Sequence, residues 1–357
     1  MVPGNWRVLL TSRVGGGAGE MRILGIETSC DDTACAVVQD GRRILSSVVA
    51  SQDELHGRFG GVVPEIACRA HIESILPCMD QALKEAHLSV DDVDAVAVTT
   101  RPGLIGALLI GLTAAKAASW VLDVPLIPVG HLEAHIYGAW LGDAGPALPA
   151  VSLVVSGGHT SLFLTKGPLD HELLGATTDD AAGEAFDKVA NILRIGYPGG
   201  PAIERAAVAG DPKTVELPRA WLDRESLDFS FSGIKTAVLY HCLGQNASKE
   251  DIARASYEPQ FVADVAASFQ EAVVEVLVRK TCLAAEQTDA AGVILGGGVA
   301  CNAVLRGRLT RQAQQSGLTV TLAPKELCRD NASVVAGLGY HLYQAGHTAA
   351  LSLEASP

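Results

Sequence analysis

Chemistry first becomes readable in this chain at GHLEAHIYGAW, where His131 and His135 stand one helical turn apart. Four residues apart on a helix, their side chains lie one above the other on a single face, which is metal-ligand spacing. Glu133 follows two positions after the first histidine, about 200° round the helix at roughly 100° per residue, and points away from both. The metalloprotease pattern H-E-x-x-H places its Glu directly after the first His, where it can act as base on a metal-bound water. That geometry is absent, so a zincin reading fails. Two imidazoles leave a metal under-coordinated, and a carboxylate from a distant loop is a reasonable third ligand. Asp330 in KELCRDNASVVAGLG is the best candidate, because it stands where a loop gives way to a helix, just before Asn331 and Ser333, residues that favour helix starts. The alternative is that the histidines only cap and pack a helix beside a sheet.

The elements that must position these residues follow from hydrophobic pattern. Residues 21–38, MRILGIETSCDDTACAVV, read as a β-hairpin, and RRILSSVVASQ as a third strand. A long amphipathic helix starts at about Pro64, VDAVAVTT is a buried strand, LIGALLIGLTAAKAASWVL a helix, and VPLIPV a strand feeding the histidine helix. The pattern then starts again. Residues 149–167 make a second hairpin, and AGVILGGG, CNAVLRGRLTRQAQQSG, LTVTLAP and DNASVVAGLGYHLYQAG repeat strand, helix, strand, helix roughly 200 residues later. The expected fold class is therefore α/β with a duplicated lobe. Residues 21–129 with 331–357 form lobe I, and residues 130–330 form lobe II with an inserted helical segment over 170–289. Residues 1–20, glycine-rich at their end, read as a flexible extension before a natural start at Met21. In open α/β sheets a ligand binds at the carboxyl ends of the strands, here the cleft between lobes. His131, His135 and Asp330 fall at the start of the last helix of each copy, and that correspondence favours the metal reading.

At 357 residues with 48% hydrophobic and 19% charged residues, the chain reads as well-buried and globular, with about two domains. The longest apolar region, 104–122, is interrupted by Gly106, Gly111, Thr113, Lys116 and Ser119, as suits a buried helix better than a membrane span. Eight cysteines with no C-x-x-C pair read as reduced thiols, and with no signal peptide the expected compartment is the cytoplasm. A net charge of −13 excludes nucleic-acid binding through a broad basic face, so any such substrate needs a local patch or a partner.

Three turns have the makings of a phosphate cradle: ETSCDDT, VSGGHT and LGGGVACN. In the last, Asn302 could hydrogen-bond a ribose or base, although a tight turn explains the glycines equally well. In GEAFDKVANIL the Asp187 and Lys188 pair lies on a helix, either as a solvated face or with Asp187 on a substrate hydroxyl. Asp179, Asp180 and Glu184 read as the acidic start of that helix. FSFSGIKT alternates like a half-buried strand, with Ser230, Ser232 and Lys235 able to reach a ligand. No Ser-His-Asp set can be assembled by spacing, and Cys301 is a weak candidate nucleophile.

Taken in order, GIETSCDDT, GGVVPEIACRAH, HLEAH, VSGGHT, GEAFDKVA, YPGGP, FSFSGIKT, GGGVACN and CRDN resemble the bacterial tRNA N6-adenosine threonylcarbamoyltransferase family from about Met21 to the last helix. The resemblance implies the two-lobe fold of actin, Hsp70 and sugar kinases. It implies transfer of threonylcarbamoyl from threonylcarbamoyl-AMP to N6 of the adenosine 3′ of the anticodon, position thirty-seven, in tRNAs reading codons that begin with A. It places the metal, iron or zinc, on His131, His135 and Asp330. Substrate contacts fall on Val154, Val155, Ser156, Gly157, Gly158, Asp187, Gly200, Glu204 and Asn302. The implied partners are tRNA, a related non-catalytic two-lobe subunit and a small P-loop ATPase, with no membrane. The chain departs from the usual DETG of the first turn with Asp32, Thr33 and Ala34, which puts in question any role needing the longer Glu. A kinase or ATPase of the same fold is the competing expectation; a metalloprotease and a scaffold without activity stand further off.

Overall fold

The computed structural model describes residues 20–142, 145–223 and 225–357. The expected extension therefore lies, except for Glu20, outside the described residues. The first half of the chain runs β1 (Arg22–Glu27), β2 (Thr33–Gln39), β3 (Arg43–Ala50), α1 (Asp53–Gly57), α2 (Pro64–Glu85), β4 (Ala95–Arg101), α3 (Ile105–Leu122), β5 (Leu126–Gly130) and α4 (His131–Tyr137). The second runs β6 (Ala150–Val155), β7 (Thr160–Gly167), β8 (Asp170–Ala176), α5 (Ala182–Leu193), α6 (Gly199–Ala207), α7 (Ser232–Leu243), α8 (Lys249–Arg254), α9 (Pro259–Gln287), β9 (Gly292–Gly296), α10 (Ala303–Gln315), β10 (Thr319–Leu322) and α11 (Ala332–Gln344).

Each half builds a five-stranded mixed sheet, in the orders β3-β2-β1-β4-β5 and β8-β7-β6-β9-β10. In both, the first three strands are antiparallel neighbours and the last two run parallel to the central one. The shared order is the duplication expected from the repeated pattern. The central strands are near-continuous apolar runs because helices cover both their faces: apolar residues of β1 and β4 pack on one side against α2 and α3, and on the other against α11 and Tyr137 of α4. α11 approaches β1 so closely that a Cβ on Gly25 would stand 2.4 Å from the Ala332 carbonyl oxygen. α2 begins with Pro64 at its first turn, where proline costs no hydrogen bond, and buries Ala67, His71, Ile75, Cys78 and Ala82 along one stripe. α3 is long and apolar enough to cross a membrane, yet Leu108, Leu112 and Ala115 are buried, with Leu112 and Ala115 packed against strand residues of the first sheet.

Two expectations need correction. The stretch 170–289, expected as a helical insertion, opens with β8, the third strand of its sheet, and closes with α9, which lies between third and fourth strands as α2 does in the first half. Its expected helical pair is the short α8 followed by a single 29-residue helix, α9. The expected strand FSFSGIKT is also different. Only Phe229 makes a strand-like bridge, to Thr177, and α7 begins at Ser232. The reason is Asp179, whose carboxylate accepts the backbone N–H groups of Phe231 (2.8 Å) and Ser232 (3.3 Å) and thereby starts a helix where alternation alone favours a strand.

Candidate metal centre

α4 starts directly at the carboxyl end of β5, so its first residue, His131, and the residue one turn on, His135, both face inward and are buried. Asp330 arrives from the corresponding place in the second half, before α11. Asn331 fixes that turn: its side-chain oxygen accepts the N–H groups of Ser333 and Val334, and its amide donates to the carbonyls of Leu327 and Arg329. The result is convergence. Asp330 Oδ1 lies 3.2 Å from His135 Nε2 and 3.7 Å from His131 Nε2, and one ligand atom from each of the three residues lies within 4.8 Å of the others. The imidazole rings meet edge to face with centroids 4.5 Å apart.

The far side of His131 is held by the first lobe. Its Nδ1 is 3.1 Å from Glu27 Oε2 and 3.1 Å from Ser29 Oγ. Glu27 is buried at the end of β1, where it also accepts the Ser29 N–H (2.5 Å) and the Thr99 hydroxyl (2.7 Å). A carboxylate on Nδ1 fixes the tautomer and leaves Nε2 facing Asp330, the arrangement that orients metal-ligating histidines. The electrostatics agree. Burial works against a charged His131, but the Asp330 and Glu27 carboxylates outweigh it and raise its pKa to about 9. Burial likewise opposes ionisation of Asp330, and the histidines beside it hold its carboxyl well below the usual range. His135 Nδ1 is buried with no hydrogen-bond partner, so Asp330 is the polar anchor of that ring. Two imidazole nitrogens aimed at one carboxylate oxygen, backed by a second carboxylate, make a pocket that favours positive charge, and the donor set of two nitrogens and one oxygen fits a divalent transition metal.

His159, from the turn after β6, is the third imidazole here, its ring 5.9 Å from that of His131. Burial, then the neighbouring histidines, push its pKa down to about 4 and keep it neutral. Neither Glu27 nor His159 was singled out from the sequence. A carboxylate closing an otherwise apolar strand was the available signal for the first, and the histidine inside VSGGHT for the second.

The expected substrate residues sort into distinct kinds. Val154 and Val155 are fully buried strand residues, so only their backbone can meet a ligand. Ser156 exchanges hydrogen bonds with His159 across the turn, and Gly157 and Gly158 are exposed with open space around them. Asp187 accepts the Gly199 N–H at 2.6 Å, and burial, with Asp31 and Asp53 nearby, pushes its pKa to about 6. Gly200 faces open space. Glu204 accepts the Ala303 N–H (2.8 Å) at the start of α10. Asn302 caps that same helix through Leu305 N–H and donates to Gln270 Oε1 at 2.7 Å, so its side chain has a structural duty. Ser230 and Ser232 do not reach toward a ligand: both hydroxyls donate to Asp179 at 2.6 Å. Lys235 and Lys188 both pair with Asp180, so Asp179 and Asp180 serve α7 and these lysines beyond the helix expected. The Cys301 thiol is pulled down to about 7 by its hydrogen bond with Cys328 and then by Arg306, Lys325 and Arg329.

The first turn is not an open cradle. Ser29 O accepts the Leu104 N–H, Thr28 Oγ1 donates to Ala107 O, and Asp32 Oδ2 pairs at 3.1 Å with Arg329, which also grips Asp53. Asp32 Oδ1 is buried with no partner, and burial raises its carboxyl to about 6 even though Arg329 opposes the rise.

Solved structures share the architecture. The HypF protein of T. kodakarensis superposes with a TM-score of 0.57 at 17% identity, covering 92% of this chain and 48% of that one. Component A of the Acidaminococcus fermentans (R)-2-hydroxyglutaryl-CoA dehydratase gives 0.51 at 14%, covering 90% and 98%. At such identities they establish the fold alone, the actin-like two-lobe α/β architecture. Sequence goes further. The family model described as tRNA N6-adenosine threonylcarbamoyltransferase matches residues 43–336. Relatives of that name from Moorella thermoacetica (51% identical, covering 95% of this chain and 97% of the relative) and Thermomicrobium roseum (51%, covering 94% and 95%) align over nearly their whole length. The match runs through the motifs that resembled this family, and the chain belongs to the tRNA N6-adenosine threonylcarbamoyltransferase family.

Proposed function

We propose that this chain transfers the threonylcarbamoyl group from threonylcarbamoyl-AMP to N6 of the adenosine 3′ of the anticodon, position thirty-seven, in tRNAs reading codons that begin with A. Family membership supports the reaction. The observation that carries the site is the convergence of His131, His135 and Asp330 within 4.8 Å. These three would hold one divalent ion, iron or zinc. When bound there, such an ion supplies Lewis acidity toward the group being transferred.

The chain's own residues do the rest. Glu27 and Ser29 keep His131 aimed. The backbone at Val154, Val155 and Ser156, and the exposed Gly157–Gly158 beside His159, would cradle the adenylate phosphate, since glycine lets a backbone come close to an anion. Gly200 opens α6 toward the same ligand. Asp187, Glu204 and Asn302 would hold its hydroxyls and base, the last through whatever hydrogen-bonding capacity its capping role leaves. A neutral exocyclic amine is a weak nucleophile, so holding an unstacked adenosine in line with the carbonyl should supply much of the rate. The acidic charge of −13 supports reliance on partners for tRNA: a related two-lobe subunit and a small P-loop ATPase. Exposed Ile72 and Leu76 on α2, and Leu109 and Trp120 on α3, support a protein partner at these helices. A kinase or ATPase would have no use for paired imidazoles.

The test is transfer of labelled threonylcarbamoyl from the adenylate to tRNA by the purified protein with its partners, comparing wild type with His135→Ala. Product from wild type alone is expected. No product from either, with ATP hydrolysed, would move the assignment to a kinase or ATPase.

A further inference from the structure

The GGVVPEIACRAH segment supplies no residue of the candidate site, yet it carries a histidine with no solvent exposure. His71, on the inner face of α2, uses both ring nitrogens: Nδ1 is 2.7 Å from Thr33 Oγ1, and Nε2 is 3.0 Å from the Cys30 carbonyl oxygen. A carbonyl only accepts, so Nε2 carries the hydrogen and Nδ1 accepts from the Thr33 hydroxyl. The ring is neutral and in one tautomer, and burial pushes its pKa below the ordinary value in keeping with this. The two groups it joins are the middle of the turn between β1 and β2 and the first residue of β2. That same turn holds the metal group, through Ser29 Oγ and Glu27 Oε2, each 3.1 Å from His131 Nδ1.

We infer that His71 is a positioning residue for the metal-ligating group: by tying Cys30 O to Thr33 Oγ1 it fixes the turn that presses Glu27 and Ser29 against His131, and so aims His131 Nε2 at Asp330. The inference rests on the reading of His131, His135 and Asp330 as metal ligands. Among the described residues no other imidazole ties this turn to β2. The turn's other contacts are Leu104 N–H to Ser29 O and Thr28 Oγ1 to Ala107 O from the α3 side, Arg329 to Asp32, and the Tyr197 hydroxyl to Asp31. Without His71 the turn keeps these contacts, and α2 still meets Thr33 through the Cys78 thiol on its carbonyl, but Cys30 O loses its bond to α2 and its tie to Thr33 Oγ1, so the displacement falls on the residues beside Cys30, of which Ser29 is the one touching His131.

Three substitutions separate positioning from packing. His71→Gln keeps an amide donor at about the reach of Nε2 and so the bond to Cys30 O. His71→Asn reaches only as far as Nδ1 and loses that bond. Thr33→Val removes the hydroxyl while keeping the shape. The full-length protein, stripped of metal with a chelator, is titrated with Co²⁺ and followed by its visible absorption, with the metal-free Tm measured in parallel. His71→Asn should weaken Co²⁺ binding about fivefold to tenfold, less than the roughly 10–100-fold of a residue touching the ligand itself. Thr33→Val should weaken it about threefold, and His71→Gln, which keeps the Cys30 bond and gives up the Thr33 bond, should weaken it by no more than about that. In a Glu27→Gln background the further loss from His71→Asn should shrink, because both act through His131. Affinities unchanged in His71→Asn and Thr33→Val while Tm falls would overturn the inference, as would full additivity with Glu27→Gln. Wild type that takes up no Co²⁺ would overturn the metal reading itself, and this inference with it.

Discussion

Glu27→Gln tests the candidate metal group from its buried end. Glu27 is 1% exposed and serves three groups, the Ser29 N–H, the Thr99 hydroxyl and His131 Nδ1. An amide has one oxygen, so its NH₂ must face a donor, and a buried donor left unpaired costs about 1–3 kcal/mol. The charge acts separately. Burial disfavours a charged His131, yet Asp330 and Glu27 raise its pKa from 6.5 to about 9, which is worth roughly 3 kcal/mol. Asp330 raises it by its charge, and Glu27 by its charge and its hydrogen bond, so losing the Glu27 carboxylate should remove part of this, on the order of 1–2 kcal/mol. Because the folded pKa lies above the unfolded one, this stabilisation of the metal-free protein is complete below pH 6.5 and is lost as pH rises through about 9. Thermal unfolding of metal-free wild type and variant between about pH 6 and about pH 9.5 should show their gap narrowing with pH toward the hydrogen-bond cost alone. With the orienting carboxylate gone, Zn²⁺ affinity should fall about 10–100-fold, or roughly 1.4–2.7 kcal/mol. A variant whose Tm stays parallel to wild type at every pH, and which binds Zn²⁺ as tightly, would refute the reasoning.

Two kinds of glycine in the second lobe should behave oppositely. Gly297 has φ +91° and a Cβ there would stand 2.4 Å from the Val155 carbonyl oxygen, so Gly297→Ala should cost about 2 kcal/mol or more in urea unfolding. Gly157→Ala meets open space and should stay within about 0.5 kcal/mol of wild type, while weakening adenylate binding measured by calorimetry. Asp32 and Asp187 both have pKa values raised to about 6, so ionising them costs folded-state stability, and that cost disappears as pH falls from about 6 toward 4. Asp187→Asn, which can still accept the Gly199 N–H, should therefore be up to about 3 kcal/mol more stable than wild type at neutral pH and equal to it near pH 4; its KM for the adenylate should rise. Lys280, 2% exposed, donates to the carbonyls of Trp221, Ser226 and Asp228, and Lys280→Met should lower stability by about 2–4 kcal/mol without changing Zn²⁺ affinity.

What could be read in advance was what depends on short-range geometry. The spacing of His131 and His135 needs only the rise of a helix, and the repeated order of strands and helices needs only hydrophobic period, which is why the duplication and Asp330's place in it came out together. Local pattern failed where a distant side chain decides. FSFSGIKT has a strand's alternation, but Asp179, about fifty residues earlier, supplies the acceptors that start α7. Asp179 itself sits at the threshold of α5 in sequence and caps another helix in space.

The same distinction explains the turn ETSCDDT, whose polar residues look like a phosphate cradle because they are small, polar and end a strand. In the fold they are spent on the protein: Glu27 and Ser29 on His131, 104 and 102 residues away, and Asp32 on Arg329, 297 residues away. A buried carboxylate at the end of an apolar strand cannot stay ionised without partners. Glu27 was therefore bound to have some. Its partner is the imidazole whose other nitrogen faces Asp330 from the second half, so the orientation of the candidate metal group depends on contacts across the fold, while the spacing of its two histidines is a property of the local sequence.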